Sequence, residues 1–338
     1  MSGTVSSPQT FQSRARLSAI GSYVPEAILT NEDMEKLVDT DNEWIVRRTG
    51  IITRHKAAEN EFASDLAVKA VGNLLDRYGV DPSEIDGIIV ATSTGNYRFP
   101  SVAAYVQKTY GMKRALSFDL NAACAGFVYA LQMANALILT GAHRKILAIG
   151  VDTLTKITDY TDRSTCILFG DGAGAVLIEA AEEGAFLASY ASTEGAGGHH
   201  VYASNVSKIW EGQPLLGEGK LVQNGREVYK WALSTIPGAV REMLSEAGYE
   251  VKDLDWFVPH SANLRMIEAL CERLDFPLEK TLESVVHNGN TSAATIPLAL
   301  DAAVREKKLA PGHLLALFGF GSGLTQAGTV LRWTAEAK

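Results

Sequence analysis

The chain has 338 residues, enough for two core-bearing units, and 46% hydrophobic with 21% charged residues is the make-up of a soluble globular protein. Its 31 Lys plus Arg against 39 Asp plus Glu leave a net charge of -8, which argues against nucleic acid as the main partner, and no run approaches the roughly 18 apolar residues of a membrane span. Three cysteines, Cys124, Cys166 and Cys271, are odd in number and lack CxxC spacing, so neither a disulfide framework nor a zinc site is supported, and a reducing cytoplasm is the expected compartment.

The opening MSGTVSSPQTFQSRAR lacks the apolar core of a secretory signal, and residues 1–15 are read as a disordered tail. TNEDMEKLVDTDNEWIVRRTGIITRH is polar with embedded aromatics, the character of a ligand-facing segment. SDLAVKAVGNLLDRYGVDPSEIDGIIVATS then reads as an amphipathic helix, a Gly-containing stop, a polar turn and a β-branched strand. SFDL is a short strand, NAA a turn, and CAGFVYALQMANALILTG a helix apolar almost all round, to be buried between layers and to end near Gly141. FGDGAGAVLIEA closes this first half as a Gly-rich turn and a strand.

Residues 185–225 have weak periodicity and many Gly and Ser, and are read as linker and loops. Beyond them the pattern returns. VYKWALSTIPGAVREMLSEAGYEVKDLDWFVPHS repeats the helix, stop, turn and strand, with Asp255 lying 169 residues after Asp86. Ala293 in TSAATIPLAL follows Cys124 in AACAGFVYAL by the same 169, and His313 follows His143 by 170. Nearly one offset at three landmarks indicates an internal duplication, with halves at 16–184 and 226–338, each a mixed sheet sandwiched by helices. Pro297 implies a kink or a late start in the helix that answers CAGFVYAL.

Cys124 is placed at or near a helix N-terminus, where unpaired N–H groups and the macrodipole favour a thiolate and the flanking Ala and Gly leave room for a substrate. A lone cysteine is more often a packed residue. His260 follows the apolar strand DWFV and precedes a helix, where a strand end opens into a crevice. Asn290 in HNGN precedes a helix start, though Asn-Gly read alone is a turn. A duplicated fold would bring Cys124, His260 and Asn290 together across its internal interface, with FGFGSG offering backbone N–H groups to an oxyanion. GDGAGA and GFGSG precede strands and so are not phosphate loops, and adjacent His199 and His200 lack a matching ligand set.

Together DTDNEWIVRRTGI, FDLNAACAGF, TDRST, FGDGAGAVL, VPHSANLR, HNGNTSAA and FGSGLT, in this order, resemble the 3-oxoacyl-[acyl-carrier-protein] synthase III family of thiolase-like condensing enzymes from about residue 16 onward. The resemblance implies an α/β thiolase-like fold, a duplicated αβαβα layered sandwich of two pseudo-symmetric halves, the first carrying the cysteine and the second the histidine and asparagine. It implies transfer of an acyl group from acyl-coenzyme A to Cys124, then decarboxylative condensation with malonyl-acyl carrier protein (ACP), with acyl-coenzyme A a substrate and no resident cofactor or metal. Neutral His260 and Asn290 would hold the enolate oxygen, and the backbone N–H groups of Cys124 and Ser322 would form the oxyanion hole; Ser322 stands where the family usually has glycine.

By the same resemblance Trp44 and Arg163 sandwich the coenzyme A adenine, Arg48 meets its phosphates and Asn263 its pantetheine arm. Arg265, Arg226 and Lys230 would dock the acidic carrier protein, and Phe99 would cross a homodimer interface to line the acyl pocket. Cys166 and Cys271 fall outside the motifs. Rival readings are a condensing enzyme of secondary metabolism, a Cys-His-Asn thioester hydrolase and a noncatalytic acyl-thioester-binding homologue. Acetyl, straight medium-chain and branched primers would all suit the same catalytic set.

Overall fold

Two runs of β-branched and aliphatic residues, GIIVA and KILAIGVDT, form adjacent parallel strands, Gly87–Ala91 and Lys145–Thr153, almost wholly buried as strands covered on both faces must be. They are the centre of a five-stranded sheet in a computed structural model that describes residues 13–338. Leu116–Leu120 joins in parallel on one edge, while Asp171–Ala180 and then Ala15–Tyr23 join antiparallel on the other. Ser13 already belongs to the fold, since its hydroxyl donates to Asn135 Oδ1 at 2.7 Å; the expected tail of residues 1–15 otherwise lies outside the described residues.

The second sheet repeats this plan. Trp256–Pro259 runs parallel to Leu314–Gly321, followed antiparallel by Thr325–Arg332 and Phe186–Thr193. Its counterpart of the fifth strand is reduced to one parallel bridge between Phe257 and Thr281. Phe186–Thr193 corrects the expected linker: FLASYAST is an edge strand whose outward residues are polar, and only the short hairpins and turns after it are connecting structure. FGDGAGAVLIEA is corrected likewise, because the strand begins at Asp171 and takes in Gly172 and Gly174. Bare backbone is needed there, since a Cβ on Gly174 would meet Pro297 Cβ at 2.5 Å.

Helices Ala63–Tyr78 and Val102–Tyr110 cover the outer face of the first sheet, and Gly225–Glu246 and Leu264–Leu274 that of the second. Between the sheets lie Gly126–Leu139 and Thr295–Arg305, whose Phe127, Val128, Leu131, Ile296 and Leu300 share one core with both sheets. Burial of each large side chain there contributes roughly 1.5–3 kcal/mol, which explains why the sequence is apolar all round the first of these helices. The layers are therefore α, β, α, β, α, a thiolase-like sandwich.

The duplication reaches single hydrogen bonds. Asp86 accepts from the backbone N–H groups of Arg144 and Lys145, and Asp255 from that of Leu314, each carboxylate fixing the start of the neighbouring strand. Each central helix is entered through a 3-10 turn, Ala123–Ala125 and Ser292–Ala294, whose first residue is forced into the left-handed region at φ 46° and φ 52°. Such non-glycine backbone costs about 1–3 kcal/mol per residue and persists only where its surroundings hold it. The opposite half does so: the first turn packs on Gly319 and the second on Gly150. The helix answering CAGFVYAL thus starts late, at Thr295, with Pro297 in its first turn, where a missing N–H does no harm.

Candidate active site

Cys124 lies inside the first of these turns, one residue before the helix cap Ala125, and is half-buried. It faces the end of strand Leu314–Gly321 so closely that a Cβ on Gly321 would come within 3.2 Å of its Sγ. Desolvation pushes its pKa up to about 12, outweighing the neighbouring Ser292 side chain, which favours the ionised form. A helix start alone argues for a thiolate; the buried surroundings reverse that expectation, and the resting group is a neutral thiol.

His260 continues the parallel strand Trp256–Pro259, its backbone N–H donating to Phe318 O at 2.8 Å. The imidazole is 2% exposed and packs edge-on against Phe320, centroids 5.2 Å apart. Burial pulls its pKa down to about 3, so it is neutral. Its Nδ1 lies 2.8 Å from Thr295 Oγ1, and Thr295 Oγ1 reaches Ser292 O at 3.0 Å.

Asn290 is held at its backbone and its side chain. Its N–H donates to Leu168 O at 2.8 Å, its carbonyl accepts from Gly170 N–H at 3.1 Å, and its Oδ1 accepts from Ser292 N–H at 2.8 Å. Engaging Oδ1 fixes the amide's orientation and leaves Nδ2 as the available donor. Cys124, His260 and Asn290 thereby gather around one residue, Ser292: Cys124 stands beside its side chain, His260 reaches its carbonyl through Thr295, and Asn290 accepts from its N–H.

Four participants escaped the sequence reading: Ser292, Thr295, Arg54 and Asp152. The fully buried Asp152 accepts from Ser93 N–H at 2.8 Å, Thr94 Oγ1 at 2.8 Å and Ala293 N–H at 3.3 Å, tying both halves together beneath the two turns; burial raises its pKa. Arg54 is 0% exposed, and burial lowers its pKa to about 10, still charged at neutrality. The one signal for Ser292 and Asp152 was positional, because Ser292 follows Ala123 by the duplication offset and Asp152 follows the glycine that faces the second turn.

Among the expected binding residues, the Arg163 guanidinium stacks over the Trp44 ring at 4.4 Å, with Trp44 presented by helix Asn42–Thr49 under an Asp41 cap. Arg48 is exposed on the same helix. Asn263 caps helix Leu264–Leu274, its Oδ1 accepting from Arg265 N–H at 2.8 Å while its Nδ2 points to Arg48 O at 3.5 Å. Arg265 is half-buried and paired with Glu268 at 2.6 Å, whereas Arg226 and Lys230 are exposed, four apart at the start of helix Gly225–Glu246. Phe99 is 85% exposed. Ser322 turns its hydroxyl to Val201 O at 2.5 Å. Cys166 and Cys271 are buried, as ordinary packed residues are.

A cavity of about 380 Å³ opens under helix Gly225–Glu246, lined by Tyr190, Glu194, Trp231, Glu242 and Gln326 among others, and none of Cys124, His260 or Asn290 faces it. Among the described residues, no group of three His, Cys, Asp or Glu is arranged to hold a metal, and no helix is long and apolar enough to cross a membrane.

Two family models match the chain: 3-oxoacyl-[acyl-carrier-protein (ACP)] synthase III over residues 118–195, and its C-terminal counterpart over residues 244–333. The chain is 54% identical to beta-ketoacyl-[acyl-carrier-protein] synthase III 2 of Halalkalibacterium halodurans, covering 96% of this chain and 98% of that one. It is 53% identical to the protein of the same name from Bacillus subtilis, over 95% and 99%. The crystal structure of the Thermus thermophilus beta-ketoacyl-[acyl carrier protein] synthase III superposes with a TM-score of 0.91 at 43% identity, over 94% and 99%.

Proposed function

The chain belongs to the 3-oxoacyl-[acyl-carrier-protein] synthase III family, and we propose that its own residues carry out the condensation that family performs. It is an acyltransferase, the initiating condensing enzyme of type II fatty acid synthesis. Its substrates are an acyl-coenzyme A and malonyl-ACP.

In the first half-reaction the Cys124 sulfur attacks the thioester carbonyl. Because the resting thiol and imidazole are both neutral, the proton leaves sulfur as the new S–C bond forms, accepted by His260 and returned to the departing coenzyme A sulfur. The backbone N–H groups of Cys124 and Ser322 receive the developing oxyanion. With its hydroxyl turned to Val201 O, Ser322 keeps its side chain engaged elsewhere and acts through its backbone.

In the second half-reaction the C–CO₂ bond of the malonyl group breaks and its electron pair enters an enolate. Asn290 Nδ2 and His260 stabilise the enolate oxygen. No strong base is required, since loss of carbon dioxide creates the carbanion, which attacks the acyl-Cys124 carbonyl and expels the cysteine sulfur as a thiolate that takes up a proton from solvent to restore the neutral thiol. The product is 3-oxoacyl-ACP.

Trp44 and Arg163 take the adenine, Arg48 the phosphates and Asn263 the pantetheine, after the direct stacking of the first pair opens. Arg226 and Lys230, exposed and without an ion-pair partner among the described residues, offer charge to an acidic carrier protein, with Arg265 contributing beside Glu268. We read the enzyme as a cytoplasmic homodimer without a resident cofactor, with Leu116–Leu120, an edge strand bearing the 38% exposed Leu116, and Phe99 facing the partner.

The observation that carries this reading is the gathering of Cys124, His260 and Asn290 around Ser292. Intact-mass measurement after incubation with acetyl-, medium-chain and branched acyl-coenzyme A tests it: one acyl adduct is expected at Cys124, discharged by malonyl-ACP, and absent in Cys124→Ser. An adduct of normal rate in Cys124→Ser would refute it.

A further inference from the structure

Arg54 is a buried cation with no anionic partner among the described residues. Its Nε donates to Ile167 O at 3.1 Å, its Nη2 to the same carbonyl at 2.5 Å, and its Nη1 to Asn31 Oδ1 at 2.7 Å. Among the described residues no carboxylate lies within salt-bridge distance of it, and desolvating an ion without one is costly. Mere filling of space would be met more cheaply by an apolar side chain.

The two neutral acceptors show what the charge is holding. Ile167 begins the segment Ile167–Gly170, and this segment brackets Asn290: Leu168 O accepts from the Asn290 N–H, and the Gly170 N–H donates to Asn290 O. The stem of Arg54 also fixes the approach to Asn290. A Cβ on Gly289 would sit 2.9 Å from Arg54 Cγ, and one on Gly170 would sit 3.2 Å from Arg54 Cβ. Gly289 itself is at φ 67°, so the turn that presents Asn290 has a backbone only glycine takes without strain, clamped from outside by the arginine.

We propose that Arg54 is a positioning residue for Asn290: its guanidinium anchors the Ile167–Gly170 segment, which sets where the Asn290 amide stands in the second half-reaction. The proposal rests on the reading of Asn290 as an enolate donor. A donor contributes strongly only when its N–H aims at the position the developing charge will occupy, so a shift of a few tenths of an ångström in the Asn290 backbone is felt in decarboxylation and not in acyl transfer to Cys124.

The two half-reactions separate this role from a structural one. In Arg54→Met, acyl transfer to Cys124 followed by intact mass stays within about twofold of wild type, while kcat for condensation falls by roughly tenfold or more at little-changed KM for malonyl-ACP. Arg54→Lys, which keeps the charge but has no planar fork, falls by less. Asn31→Ala, which removes one anchor and leaves Arg54 in place, gives a smaller fall of the same kind and serves where Arg54→Met fails to fold. In an Asn290→Ala background the Arg54 substitutions produce no further loss. Parallel loss of both half-reactions in a folded variant, unchanged condensation, or additive loss in the double variants would each overturn the proposal. Unimpaired condensation in Asn290→Ala alone would instead remove the reading of Asn290, a distinguishable failure.

Discussion

His260 Nδ1 and Thr295 Oγ1 lie 2.8 Å apart, and that hydroxyl is the hydrogen-bond partner of a buried imidazole. Ser292 O, 3.0 Å from the same hydroxyl, also receives the Thr295 backbone N–H. The hydroxyl is therefore free to accept from Nδ1–H while donating to Ser292 O, or to turn and donate to a bare Nδ1 without orphaning the carbonyl. Either neutral tautomer of His260 is served, and the two half-reactions ask different things of Nε2. Thr295→Val leaves Nδ1 unpartnered, which costs about 1–3 kcal/mol. The expected outcome is a roughly tenfold or greater fall in overall turnover, restored by Thr295→Ser and measured as steady-state condensation.

Two titrating groups of the site, His260 and Cys124, are held neutral by burial, and each contributes to one end of the pH–stability profile. His260 drops from an ordinary 6.5 to about 3, so between these values the unfolded chain binds the extra proton, and stability is lost as pH falls through that window. Cys124 rises from 9.0 to about 12, so the unfolded chain ionises first and stability is lost as pH climbs through that range. Denaturant midpoints measured against pH are expected to decline less steeply below pH 6 in His260→Gln, and less steeply above pH 9 in Cys124→Ala, than in wild type. Identical slopes in variant and wild type would show that these groups are not desolvated.

Trp44 and Arg163 stack directly at 4.4 Å, so in the proposed sandwich an adenine has first to part them. Trp44→Ala is expected to raise KM for acyl-coenzyme A by roughly tenfold, the value of one aromatic and cation–π partner. With a short acyl-pantetheine thioester, which has no nucleotide, the same substitution should leave acylation of Cys124 unchanged. A loss of equal size with both donors would place Trp44 elsewhere in the site.

The duplication was legible because it copies chemistry as well as pattern: Asp86 and Asp255 each cap the next strand, so one offset carried the central helices and both turns. Cys124, His260 and Asn290 were legible only together: each alone reads as a packed or turn residue, and the duplication with the ordered motifs FDLNAACAGF, VPHSANLR and HNGNTSAA singles them out. Phe186–Thr193 was lost because an edge strand keeps half its side chains polar and is followed by glycines, the composition of a loop. Thr295 and Arg54 were invisible for another reason. Threonine at a helix start and arginine after a turn are ordinary in sequence, and only tertiary packing shows that they are 0% exposed. Desolvation of Cys124 is likewise a property of its neighbours across the internal interface, which the helix-start argument does not contain.

Gly150 and Gly319, separated by the duplication offset, hold the two strained turns in place from opposite halves. A Cβ on Gly150 would meet Ala293 O at 2.2 Å, and one on Gly319 would meet Ala125 Cα at 2.8 Å. Both obstacles are backbone, so no rotamer change relieves them. Gly319→Ala pushes directly on the turn that carries Cys124, and Gly150→Ala on the one that carries Ser292 and leads to Thr295. Each is expected to cost about 1–3 kcal/mol of stability and to slow acylation of Cys124, by urea denaturation and intact-mass kinetics respectively. Gly238→Ala, within helix Gly225–Glu246 with nothing inside 4 Å of the added carbon, is the control and should stabilise by roughly 0.5–1 kcal/mol. If the Gly150 and Gly319 variants matched that control, the left-handed turns would not depend on this cross-half contact, and the site's geometry would have to be maintained within each half alone.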